Sequence, residues 1–200
     1  MNYEKPIEYS SENQESKRFV EKLKESFSLF DTHPQLPVIE EDKLINSDAK
    51  ACFHYDEEKN GEKIKMINKN YLIFVEKIKN IENKENLPTS IAIHEIRHRA
   101  QREDEYERQE GAEQLELFSI DFIKNINNEY IKNALLDYAN GLPEQVKNNP
   151  LELDAKVTEK IICNLIEDDL IGPEEIKKLL KSNSHQILKH LLLAKKQNLS

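Results

Sequence analysis

Apolar residues return at helical spacing along most of the 200-residue chain. Phe19, Leu23, Phe27 and Phe30 fall at i, i+4, i+8 and i+11, which predicts an amphipathic helix over 11–30. Residues 31–37 end it, because Pro34 and Pro37 each bias their predecessor away from helical geometry. Two strand-like runs follow at 49–55 and 62–67, flanking a turn-forming segment that contains Asn60-Gly61. Ile64 and Met66 alternate with Lys63 and Lys65, so a β-hairpin with one covered face is expected. Tyr71, Phe74, Val75 and Ile78 predict a helix over 71–81, with 82–86 as a polar loop.

Leu87-Pro88-Thr89-Ser90 opens the next helix, with Ile91 and Ala92 facing the core. Its continuation over 101–114 is so charged that a solvated helical extension is expected. Leu115, Phe118, Phe122 and Ile126 form a further stripe; Ile131, Leu135 and Tyr138 form another, stopped by Asn140-Gly141-Leu142-Pro143. Asn149-Pro150 starts a helix whose Leu151, Ala155, Thr158, Ile162 and Leu165 share a face. Beyond Gly172-Pro173, Ile176, Leu179 and Leu180 pack inward, then Ile187, Leu188, Leu191 and Leu192, with a break near Ser182–Ser184. The fold class expected is α+β, mainly α, as a single domain over 1–200. It divides into an N-terminal tail, helix and connector (1–48), a core (49–166) and a C-terminal helical extension (167–200).

Composition narrows the function. Four glycines are too few for an all-β protein with its many tight turns. A net charge of −9, without a basic stripe, disfavours nucleic acid as a partner. No apolar run approaches membrane-spanning length, and the first residues lack the pattern of a secretion signal, so a cytoplasmic protein without membrane contact is expected. The Lys, Asn, Ile and Glu content suggests an AT-rich bacterial source. Cys52 and Cys163, far apart in sequence, read as reduced structural residues.

The chemistry concentrates in the helix after Pro88. His94 and His98 stand one turn apart on one helical face, which suits two corners of a tetrahedral zinc site. Glu95 beside them is placed to act as the general base of a His-Glu-x-x-His hydrolase. A catalytic ion needs a third protein ligand, and the best stretch is Pro150-Leu-Glu152-Leu-Asp154-Ala155. Glu152 is the first choice, with Ala155 one turn later small enough for close helix approach. It competes with a capping role, since Asn149 and Glu152 also fit a capping box. Asp154 is the second choice, as a ligand or as an acceptor for a histidine N–H. His33 reads as solvated and His54 as structural; His185 and His190 are spaced wrongly for joint ligation from one helix.

The order of these features resembles the gluzincin metallopeptidases, in particular the compact minigluzincins, and the small intracellular metallopeptidases that cleave phage-type repressors. The parallels are a hairpin at 49–67, the motif His94–His98 and Glu152–Ala155 in a later helix. The resemblance implies a zincin-like core over about 49–166, with the sheet packed on the motif helix. It also implies Zn2+ held by His94, His98 and Glu152, with Glu95 as general base. Arg97 departs from the pattern, being bulky and charged where a small or uncharged residue is usual; it either narrows the cleft or pairs with a carboxylate. The segment Lys156-Val-Thr-Glu159 departs as well.

The function expected is peptide-bond hydrolysis by a small intracellular zinc metallopeptidase, with Tyr106, Tyr130, Tyr138 and His54 as possible oxyanion donors. The substrate would be a polypeptide, held by strand addition at the hairpin edge. Two alternatives stand beside it. One is a weakly active or inactive metal-binding zincin that acts by recognising a protein partner; the other is a helical interaction module in which the motif is accidental.

Overall fold

The structure, a computed structural model, describes residues 12–33, 36–41, 49–60, 63–78, 86–107 and 115–197. Those residues form helices α1 (Glu12–Phe30), α2 (Val75–Ile78), α3 (Leu87–Glu107), α4 (Ile120–Lys124), α5 (Glu129–Gly141), α6 (Glu144–Lys147), α7 (Pro150–Glu167), α8 (Pro173–Leu180) and α9 (Ser184–Gln197). Three strands, β1 (Val38–Glu41), β2 (Ala51–Asn60) and β3 (Lys63–Phe74), make one sheet in the order β1-β3-β2. The protein is thus mainly helical with a small sheet. Residues 1–11, 61–62, 79–85 (the end of the helix expected over 71–81 and most of the polar segment expected over 82–86) and the end of the charged run, 108–114, lie outside the described residues.

The predicted α1 stripe is the buried one: Phe19, Leu23, Phe27 and Phe30 all enter the core, and Phe27 stacks on Tyr71 at 4.1 Å between ring centroids. The hairpin is longer than expected. β2 runs antiparallel to β3, and β1 adds in parallel on the other side, so β3 is the central strand. The pairing skips between His54 and Asp56, where Asn68 on β3 takes a φ of 51°, a left-handed conformation that asparagine tolerates.

Two helices drawn from periodicity need correction. Residues 71–74 are strand rather than helix, and α2 is described over Val75–Ile78. Tyr71-Leu72-Ile73-Phe74 lies between two strands, with Tyr71, Ile73 and Phe74 all buried, so a continuous apolar run imitated a helical stripe. Residues 115–119 are likewise irregular, and α4 begins only at Ile120, capped by the Ser119 side chain. The reason is where the backbone hydrogen bonds go. Leu115 N–H donates to Asp104, Phe118 N–H to Asp154 at 2.8 Å, and Glu116 C=O accepts from Ser184 N–H at 2.9 Å. With its peptide groups satisfied by tertiary partners, the segment has no need of a helical ladder.

The motif helix α3 is enclosed. Ala92, Ile93, Ile96 and Ala100 meet the core, and two arginines are buried with them. Arg99 donates to Tyr71 Oη (3.1 Å), Asp31 Oδ1 (2.7 Å), Thr32 Oγ1 (3.1 Å) and Glu103, while Tyr71 donates to Asp31 Oδ2 at 2.6 Å. That network ties the end of α1 and strand β3 to one side of α3. On another side α3 packs against α7, and α8 closes against α1 and α3. No helix among the described residues is long and apolar enough to cross a membrane.

Candidate metal centre

Glu152 reaches the two motif histidines because α7 starts where it does. Asn149 caps that helix by accepting from Leu151 N–H (3.1 Å) and Glu152 N–H (3.4 Å), with Pro150 in the first turn. A reciprocal capping box would need the Glu152 carboxylate to accept from Asn149 N–H, but that N–H donates to Val146 O at 3.1 Å. The carboxylate turns instead to α3, with Oε2 3.4 Å from His94 Nε2 and Oε1 3.3 Å from His98 Nε2. The two Nε2 atoms are 3.0 Å apart and the rings stand at 90°.

This triangle can be tested against what an ion requires. Ligand distances of 2.0–2.2 Å at tetrahedral angles put neighbouring donor atoms about 3.3–3.5 Å apart. The Nε2–Nε2 separation of 3.0 Å and the carboxylate contacts of 3.4 Å (Oε2 to His94) and 3.3 Å (Oε1 to His98) are near that spacing, and one donor atom from each of the three residues lies within 4.8 Å of the other two. Two imidazole nitrogens and one carboxylate form the donor set, Glu152 and His98 are partly exposed, and all three residues line one cleft. His94, His98 and Glu152 can hold a metal ion. Among the described residues they are the group of three such side chains with donors that all lie within 4.8 Å of one another.

The electrostatics favour a positive charge there. Burial alone would lower the His94 pKa, but contacts from Glu152 and Glu159 raise it to about 9. Hydrogen bonds from His94 and then His98 hold Glu152 far below the ordinary carboxylate range. Glu159 is pushed up by burial, yet His94, Lys156 and Ser90 outweigh this and keep it ionised down to about 2. Its Oε2 lies 3.2 Å from His94 Nδ1, an ion-pair distance, although the alignment leaves that ring N–H without a well-directed hydrogen bond. Glu95 is buried beside the site, and burial raises its pKa despite the neighbouring imidazoles. Phe53 N–H of β2 donates to its Oε2 at 3.1 Å, which fixes the carboxyl against the sheet edge.

Asp154, the second choice as a ligand, does not join the group. It is fully buried and spends both oxygens elsewhere: Oδ2 accepts from Arg97 Nε and Gln101 Nε2, each at 2.7 Å, and Oδ1 accepts from Phe118 N–H (2.8 Å) and Arg97 Nη2 (3.2 Å). Of the two roles open to Arg97, pairing with a carboxylate is therefore the one it takes. Its Nη1 completes the arrangement by donating to the carbonyls of Leu180 (2.9 Å) and Ser182 (2.7 Å) at the end of α8.

The centre opens into a cleft of about 920 Å³ bordered by β2, α3 and α7, with Phe53, Tyr55, Arg102 and Lys156 among its walls. Tyr130 and Tyr138 on α5 do not line it, nor does His54, which sits on β2 between the lining residues Phe53 and Tyr55, and the Tyr106 side chain lies outside the described residues. His33 is exposed in its connector, and His185 contacts Glu116 and Phe122 away from the cleft. Both cysteines are free thiols. Sequence reasoning missed Gln101, Glu159 and Tyr55. Gln101 and Glu159 could have been found by position, since each falls at helical spacing from a candidate ligand, three residues after His98 and seven after Glu152.

No protein-family model matches the chain, and no curated protein or solved structure matches it either.

Proposed function

We propose that this protein is a zinc-dependent peptidase of the gluzincin type, with a zincin-like core in which α3 and the first turn of α7 hold the ion. The observation that carries the reading is the convergence of three features in one cleft. They are the His94–His98–Glu152 triangle, a buried carboxylate one residue along α3, and an edge strand beside both. A Zn2+ ion bound there would supply Lewis acidity and lower the pKa of a water at its open position.

The chain's own residues account for the remainder. Glu95, with a pKa raised by burial, is a better proton acceptor than an ordinary glutamate. Its role is to take the proton of the attacking water and deliver it to the departing amine. Phe53 N–H restrains that carboxyl through Oε2, which limits its motion between the two transfers. Among the described residues β2 is an edge strand paired with β3, and its residues Ala51, Cys52, Phe53 and Tyr55 line the cleft, which suits an extended polypeptide added as a further strand.

The decisive comparison is between metal content and turnover in Glu95→Gln. The variant should keep its zinc and lose peptide hydrolysis by at least about a hundredfold, in line with the loss of a general base. Zinc retention with undiminished hydrolysis would remove Glu95 from the chemistry. Wild-type protein that binds zinc yet cleaves no polypeptide would favour a metal-binding recognition protein instead.

A further inference from the structure

We propose that Gln101 is a positioning residue that fixes the tautomer of His98, and that the buried Arg97–Asp154 pair exists in part to orient Gln101. The inference rests on the metal-centre reading above and extends it to residues that touch no ion.

Asp154 is an acceptor only, and the Leu151 carbonyl is an acceptor only. Gln101 Nε2 lies 2.7 Å from Asp154 Oδ2 and 3.0 Å from Leu151 O, so both amide hydrogens have acceptors and the nitrogen must face that way. The Gln101 oxygen then faces His98, with Oε1 2.8 Å from Nδ1. An amide oxygen cannot donate, so the proton of that bond belongs to His98 Nδ1. Whenever the ring is neutral, its lone pair is then on Nε2, the atom on the side of Glu152 and His94, which is the form a ligand needs. A flipped Gln101 would present N–H groups to Nδ1, pull the proton to Nε2 and block ligation.

What prevents the flip is the state of Asp154. Arg97 occupies it from one side through Nε and Nη2, and Phe118 N–H from another, which together hold the carboxylate in place. Arg97, Gln101 and Asp154 are all buried, so water does not compete for these bonds. A relay therefore runs from the end of α8, through Arg97, Asp154 and Gln101, to His98. It gives a physical reason for an arginine inside the motif.

The test uses the full-length protein and two readouts that need no turnover. Long-range proton–nitrogen NMR spectra of the metal-free wild type, at a pH where the ring is neutral, should show His98 protonated on Nδ1. In Gln101→Leu the ring should lose that preference. Competition with a chromophoric chelator should show zinc binding weakened in the variant by about 10- to 100-fold, the range seen when such outer partners are removed. A wild-type His98 protonated on Nε2 would overturn the proposal, as would a folded Gln101→Leu protein that binds zinc as tightly as the wild type. Should that variant fail to fold, the wild-type spectrum still decides. Should the wild type bind no zinc at all, the metal-centre reading fails, while the spectrum tests the tautomer separately.

Discussion

Two charged side chains, Arg97 and Asp154, show what the interior demands of a buried charge. Arg97 and Asp154 are fully buried and hydrogen-bonded at every turn, so removing one partner strands the other. Asp154→Ala should lower the free energy of unfolding in urea by about 3–5 kcal/mol, whereas Arg97→Met combined with Asp154→Leu should recover most of the loss. Equal losses in the single and double variants would show that the pair is not coupled. The cysteines give a check on burial at the same scale. Burial, helped by Glu95, pushes the Cys52 thiol up to about 11; burial, helped by Glu159 and Glu167, pushes Cys163 up to about 12. Because the thiolate is the nucleophile, alkylation by iodoacetamide near pH 8 should be much slower in native than in urea-unfolded protein. The sign for stability follows: the neutral thiols cost nothing below the unfolded pKa of about 8.5, and stability falls as pH rises toward 11–12. Native alkylation as fast as unfolded would contradict the burial.

Among the elements, the informative cases are those in which tertiary partners replaced local pattern. The stripe of α1, the α7 cap at Asn149 and the stops at Gly141 and Ser182–Ser184 were legible because each is a local signal, written within a few residues. Strand β1 and the true extent of β3 were not, since Tyr71–Phe74 is strand only by virtue of lying between Val38–Glu41 and β2. The His94–His98 pair was legible from spacing and Glu152 from its place in a first turn. Gln101 and Glu159 were not read, although each falls at helical spacing from a candidate ligand, because a polar side chain on a helix carries no mark of burial by itself. The segment 115–119 offers a direct test. Phe118 lies outside any helix or strand, yet its N–H donates to buried Asp154. Its amide should exchange with solvent as slowly as those in the centre of α7, as measured by hydrogen–deuterium exchange. Exchange at the rate of an open loop would rule that contact out.

For the whole molecule, the fold can be understood as a frame around α3. The Arg99 network secures one side of this helix to α1 and β3, and the Arg97–Asp154 pair secures another to α7 and α8. The remaining face, with His94 and His98, opens on the cleft. Two anchored sides keep the histidines and Glu152 in register although Glu152 lies more than fifty residues beyond His98 in sequence. A ligand set held in place this way should bind its ion with little reorganisation and gain stability on binding. The most direct measurement is the zinc content of the purified protein after equilibrium dialysis, wild type beside Glu152→Ala. The geometry predicts one ion per chain in the wild type and its loss in the variant. Wild-type protein without zinc, or a Glu152→Ala protein that retains it in full, would contradict the three-ligand centre.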